Sequence, residues 1–239
     1  MKQKKFDTLT SILIYLLFAL TVLYPFGFAA SSLLGYTFKL TNAAVYSCVI
    51  AILSICTMML TISLKEGLKS KPARALITYM PLLSMINAIL LIFDLEGFIA
   101  IGGALISAVC CFAMALICGR PLVLKIISLT LSVLLLFPAI YLGFYITIFG
   151  NMWANTVVKA VESPSGEYCA KVIDNGQGAL GGNTFVDVYK GRELNFIIFT
   201  IEKKPERVYE GDWGYGEHMD IYWKDDKCLI IDSKEHVME

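Results

Sequence analysis

Residues 126–149, IISLTLSVLLLFPAIYLGFYITIF, run for 24 residues without a charged side chain. As an α-helix rising 1.5 Å per residue, the stretch is about 36 Å long, enough to cross a hydrocarbon layer of roughly 30 Å with some tilt. Upstream of it lie further apolar runs. Downstream the pattern changes to short alternations of polar and apolar residues. The stretch therefore divides the chain into a membrane part, residues 1–150, and a small water-facing lobe, residues 151–239.

Working back from Ile126, a connection with Gly119, Arg120, Pro121 and Lys125 precedes the run. Before it, residues 75–118 are apolar almost throughout. One helix of that length would be about 66 Å, twice what a bilayer accepts. The only charged break is Asp94-Leu95-Glu96-Gly97. A carboxylate at the centre of a membrane helix costs about 3 kcal/mol, so the turn belongs there. Two more runs, 9–34 and 43–64, complete the set. Five spans are expected, near 9–34, 43–64, 75–93, 98–118 and 126–149. The segment Ala29-Ala30-Ser31 would suit signal cleavage, but the first apolar run is longer than a signal core and is read as an uncleaved span. Pro25 and Gly27 are expected to kink or end it.

Hydrophobic residues make up 57% of the chain and charged residues 17%, and the formal net charge of zero hides a split. Residues 1–150 hold ten Lys and Arg against four Asp and Glu; the rest hold ten against sixteen. With five spans, the N-terminus and the connections after spans two and four share one side, which carries nine basic residues against one, Lys39, on the other. Cytoplasmic connections hold the Lys and Arg excess, so the N-terminus is expected inside and the lobe outside. Tyr141, Tyr145 and Trp153 would form an aromatic belt at the outer end of span five. The acidic lobe argues against nucleic acid as a partner, since phosphate binding needs a basic face. The partners left are the lipid bilayer and another membrane or envelope protein.

Two spans repeat small residues every fourth position: Ala43, Ser47 and Ala51, then Gly103, Ser107, Cys111 and Ala115. Such stripes let helix backbones approach closely, within one molecule or between copies. Asn87 is the one strongly polar residue well inside a span. A transport path usually carries several intramembrane charges, so Asn87 is read as hydrogen-bonding glue between helices.

From Thr156 the period becomes two. Strands are expected at 156–162, 168–174, 184–190, 196–202, 218–224 and 228–232, giving a mainly antiparallel sheet or small sandwich. Residues 176–181, GQGALG, spell a dinucleotide fingerprint, but a strand and not a helix follows, so a nucleotide cofactor is not expected. His218 with Asp212, Glu217, Asp220, Asp225 and Asp226 matches no metal or nucleophile template and reads as a solvated acidic face, although clustered carboxylates would suit calcium. No catalytic, cofactor or metal site is assigned. Asp212-Trp213-Gly214-Tyr215-Gly216 sets two large aromatics in a glycine-flanked loop. Trp213 and Tyr215 either form a recognition loop or fold back over the sheet. Cys169 and Cys228 lie on expected strands in an oxidising compartment. They either bridge or remain two buried thiols.

Three motifs in the lobe go together: Ser163-Pro164-Ser165-Gly166-Glu167-Tyr168, the glycine-rich stretch from Gly176 to Gly182, and Ile221-Tyr222-Trp223-Lys224-Asp225-Asp226 with Leu229 and Ile231. In this pattern the lobe resembles extracytoplasmic β domains of unknown function that bacteria, Firmicutes especially, tether with a membrane segment. The resemblance covers roughly the C-terminal third, brings no known activity, and implies a bacterial plasma membrane. With no catalytic constellation and no intramembrane charge in the sequence, and with the lobe following span five directly, the expectation is a module that binds or senses something at the cell surface on a helical anchor. The alternative is a small transporter or an accessory subunit of one.

Overall fold

The computed structural model describes residues 2–64, 67–93, 97–149, 155–176, 181–191 and 194–238. The charged turn 94–96, Trp153 and most of the glycine stretch, 177–180, lie outside them. Five helices are long and apolar enough to cross a membrane: α1 (Lys2–Leu33), α2 (Ala43–Ser63), α3 (Lys71–Phe93), α4 (Phe98–Cys118) and α5 (Leu122–Phe149). Ten strands accompany them: β1 (Tyr36–Leu40), β2 (Asn155–Glu162), β3 (Tyr168–Gly176), β4 (Gly182–Lys190), β5 (Leu194–Asn195), β6 (Phe199–Lys203), β7 (Glu206–Asp212), β8 (Ile221–Trp223), β9 (Cys228–Ile231) and β10 (Lys234–Val237). The chain forms two compact units. One takes Met1–Ala30, Leu40–Ile146 and Ile197–Phe199; the other takes Ser31–Lys39, Thr147–Phe196 and Thr200–Glu239.

In the helical unit, α1 does not end at Pro25 but continues to Leu33. Proline has no N–H, so the carbonyl four residues earlier, at Thr21, loses its helical donor. Asn87 on α3 replaces it: its side-chain amide donates to Thr21 O at 2.7 Å, and also to Leu83 O at 3.0 Å. Tyr46 on α2 closes the knot by donating from its hydroxyl to Asn87 Oδ1 (3.1 Å) and Leu20 O (2.8 Å). Thr21, Tyr46 and Asn87 are all buried. Asn87 thus joins three helices, as glue should.

The small-residue stripes meet each other. A methyl group on Gly103 of α4 would stand 2.8 Å from the carbonyl oxygen of Ser47 on α2. The seam therefore lies within one molecule, and the α2 and α4 backbones touch where Gly103 leaves room. Beside it, Ile14, Leu17, Ile77, Met80, Cys111 and Met114 are fully buried in an apolar cluster. By contrast α5 leaves Ile126, Val133, Phe137, Ile140 and Phe144 exposed, as a helix facing lipid would.

In the other unit β2, β3, β4 and β7 form a four-stranded sheet in that order, and β8, β9 and β10 form a second of three strands with β9 central; every strand pair in both is antiparallel. Tyr168, Ala170, Val172, Val186 and Val188 of the larger sheet bury against Ile221, Leu229 and Ile231 of the smaller. Of the expected strand 196–202 only the part from Phe199 is strand, in β6; a bend at 197–198 separates it from β5, which was not expected. Besides β5, three strands were not expected. β1 lies in what reads as a loop after α1, and it pairs with β6, with β5 beyond. Lys204 N–H donates to Gly35 O at 3.0 Å, and Lys39 pairs with Glu202 at 2.8 Å. β7 and β10 are the others.

The two seams make separate predictions. Gly103→Leu is expected to lower the unfolding free energy of the detergent-solubilised protein by about 1–3 kcal/mol through overpacking. The neighbouring Gly102 has nothing within 4 Å of an added methyl, so Gly102→Ala should be neutral or stabilising. Asn87→Leu is expected to cost about 1–2 kcal/mol by orphaning the Thr21 carbonyl. In a Pro25→Ala background, where residue 25 regains its N–H, that cost should fall by half or more. Thermal unfolding of the four proteins of this cycle provides the check.

Candidate functional site

Two of the three lobe motifs, Ser163–Tyr168 and Ile221–Asp226, are assembled into one clasp. The turn between β2 and β3 closes with Ser163 N–H donating to Tyr168 O at 2.8 Å and Tyr168 N–H donating back to the Ser163 side-chain Oγ at 3.1 Å. Gly166 supplies the left-handed φ of 72° that the turn needs. Across from it, Asp226 accepts the N–H of Ser165 at 2.6 Å, Trp223 donates from its indole to Val161 O at 3.1 Å, and the rings of Trp223 and Tyr168 lie 5.9 Å apart. Asp225 caps its own hairpin by accepting from Lys227 and Cys228 N–H, both at 2.8 Å. Asp225 is therefore used within its own turn, and Asp226 fastens one sheet to the other. Asp232 is used too, accepting from Asp220 N–H at 3.1 Å.

His218 is exposed at the end of a short 3-10 turn, Tyr215–Glu217, and its N–H donates to Tyr215 O. Among the described residues no three His, Cys, Asp or Glu side chains are grouped as a metal would need. Gly176 and Gly182 face each other as the last pair of the β3–β4 ladder, so the glycine stretch connects two strands of a hairpin and opens no helix. Cys169 and Cys228 carry unbridged thiols. Cys169 alternates with Tyr168 and Ala170, which point into the core, so its side chain lies on the opposite face of the larger sheet; Cys228 lies in the smaller sheet across that core.

Trp213 and Tyr215 are brought together on one loop, 58% and 40% exposed. The loop is held from below. Gly214 takes a φ of 79° that reverses the chain, and Gly216 is buried so tightly that an added methyl would stand 3.0 Å from both Asp174 and Val172. The edge of the Trp213 ring rests over Gly182, where a methyl would clash with it. The rings are thus fixed at one edge and open to solvent over the rest. The Asp232 carboxylate beside Tyr215, aided by a little burial, holds the phenol above its ordinary ionisation range.

A second feature lies at the other end of the same hairpin. A cavity of about 250 Å³ is lined by Cys169, Lys171 and Tyr189 on the outer face of the larger sheet, by Glu162 and Lys190, and by Glu202 on β6. The Lys171 ammonium stands 4.3 Å from the Tyr189 ring, and burial, then the charges of Glu202 and Asp187, push the Tyr189 phenol up. Tyr168 pairs with Lys190 here and Gly176 with Gly182 at the aromatic end, so the two features are separated by about 27 Å of strand. This groove was not read from the sequence. Alternation in β3 puts Cys169 and Lys171 on one face, but the arrival of Glu202 depends on a long-range crossing that no local pattern encodes.

In the helical unit a cavity of about 430 Å³ between α3, α4 and α5 is apolar but for Ser132. Comparison with protein families, with curated proteins and with solved structures finds no match to this chain.

Removing the charge next to the aromatic loop gives a clean test of its electrostatics. Asp232 sits at a φ of 48°, a conformation that asparagine also tolerates. Asp232→Asn is therefore expected to keep the turn and lower the Tyr215 ionisation midpoint toward the ordinary value near 10. The sign follows from charge: a neighbouring carboxylate disfavours phenolate, and its loss relieves this. Alkaline ultraviolet titration against a Tyr215→Phe control reads the shift.

Proposed function

We propose that this protein is a bacterial plasma-membrane protein, N-terminus in the cytoplasm, whose β lobe faces outward and binds or senses a partner at the cell envelope through Trp213 and Tyr215. The observation that carries the reading is the mounting of these two rings. A loop that merely covered a sheet would bury its aromatics; this one spends two glycines on fixing the backbone and leaves both rings accessible. Rigid, half-exposed aromatics offer large contact area at small entropic cost, which is what recognition surfaces use. The expected partner is another membrane or envelope protein.

Sidedness is supported by two independent features. Nine basic residues lie on the side of the N-terminus and one on the other. In addition β1, between α1 and α2, is hydrogen-bonded to β6 of the lobe. A sheet cannot reach through a hydrocarbon core, so the α1–α2 connection and the lobe share a side. Four helices separate β1 from β2, an even number of crossings, which returns the chain to that side. The bundle acts as the anchor, with its central amide already committed to holding three helices.

A surface-active reporter fused after Gly150 is expected to be active, and one in the connection near Lys69 silent; the reverse pattern overturns the orientation. For recognition, a photo-activatable phenylalanine analogue at Trp213 or Tyr215 in intact cells should give a discrete higher-mass adduct. The same analogue at Val157, a 54% exposed strand residue, should not. No adduct, or equal adducts at all three positions, overturns recognition by this loop.

A further inference from the structure

At the end of the bundle where α3 begins and α4 passes into α5, a cleft of about 530 Å³ is lined by Lys71, Arg74, Ala75, Arg120, Pro121 and Leu122. Lys71 and Arg74 are three residues apart on a helix and so share a face. Arg120 comes from another segment and is brought to them by Thr78. The buried Thr78 hydroxyl donates to Arg120 O at 2.9 Å and accepts Arg120 N–H at 3.0 Å, while also donating to Arg74 O at 3.0 Å. One threonine therefore fixes two arginine backbones together. No carboxylate lines the cleft, and among the described residues none pairs with these three cations. The Arg74 Nε is buried without a hydrogen-bond partner among those residues. Two guanidinium groups and an ammonium held around an open space, with a donor unspent, call for an oxyanion.

We infer that this cleft binds the phosphate headgroup of an anionic phospholipid. Guanidinium groups match phosphate with paired, charge-assisted hydrogen bonds. Basic pockets at the ends of membrane helices are where lipid headgroups lie. The remaining wall is apolar: Ala75, Pro121 and Leu122, the last 60% exposed and continuous with Val123 on the lipid-facing side of α5. A free phosphate ion would satisfy the cations but leave that wall against water, whereas a lipid covers both. The site is independent of the lobe and of its proposed role.

The test uses the full chain in detergent micelles doped with phosphatidylglycerol or with phosphatidylcholine, read by native mass spectrometry. Retention of a phosphatidylglycerol adduct is expected, with about tenfold less on R74Q/R120Q, no loss on Lys224→Gln in the lobe, and none retained from phosphatidylcholine. Equal retention of the two lipids, or an unchanged double variant, overturns the inference. Protection against thermal unfolding by millimolar inorganic phosphate as strong as that by phosphatidylglycerol would assign the cleft to a free ion and also overturn it. Should R74Q/R120Q fail to fold, Lys71→Gln at the exposed first residue of α3 serves in its place, and wild-type retention there counts against the site.

Discussion

The hydrogen bond from Asn87 to the Thr21 carbonyl is the contact on which the helical unit depends. In hydrocarbon an unpaired backbone carbonyl has no water to turn to, and Pro25 creates one in the middle of α1. The molecule answers with a side chain from another helix, so a local defect becomes a tertiary constraint. Asn87 can face Thr21 only if α3 lies at one height and one rotation against α1. Tyr46 adds the same demand for α2 by sharing the amide oxygen. Apolar packing alone is permissive of sliding and rotation in lipid; this knot is not. The Gly103–Ser47 approach then fixes α4 against α2 by shape, so that two unlike devices, one polar and one steric, set the register of four helices.

The lobe is closed by an analogous economy. Its acidic residues, which outnumber its basic ones, look from a distance like a surface for cations. At close range three of them are spoken for. Asp225 caps a turn, Asp226 fastens that turn to the one opposite, and Asp232 trades bonds with Asp220. A carboxylate accepting backbone N–H groups is held in place and partly neutralised by the dipoles it faces. What is left for recognition is the part of the surface not consumed in this way: the two rings above Gly182 and Gly216, and the mixed-charge groove at the far end of the hairpin.

The helices were legible because their signal is long and redundant. Fifteen or more consecutive apolar residues leave little choice, and the starts of α3 and α5 differed from expectation only because Lys71 and Lys125 are tolerated in a first turn that lies outside the hydrocarbon. The central strands β2, β3 and β4 were legible from alternation bounded by turn residues. The missed strands share a cause. β7 carries Glu206, Arg207 and Glu210, so its pattern is blurred by charges, one of which is paired with Asp187 across the ladder. β10 follows a two-residue turn made by Asp232 and Ser233, both at positive φ, where the usual signal is Asn-Gly. β1 is five residues whose partner lies some 160 positions away, and no window of sequence contains both. The exposure of Trp213 was open for a similar reason: it depends on Gly182, which the fold brings beneath it.

That same distant pairing also bears on how the strand segment after α1 is set between two helices. β1 is joined directly to the end of α1 and the start of α2, with Asn42 capping α2 by accepting from Val45 N–H at 2.9 Å. By the division into units the chain passes between them at five points, after residues 30, 39, 146, 196 and 199. Two of these flank β1, whose neighbouring helices α1 and α2 are the ones that the Asn87 and Tyr46 hydrogen bonds hold in register. Were the lobe a sensor, as proposed, β1 would be the segment to watch, since it shares a sheet with β6 and lies between the end of α1 and the start of α2, two helices of the polar knot.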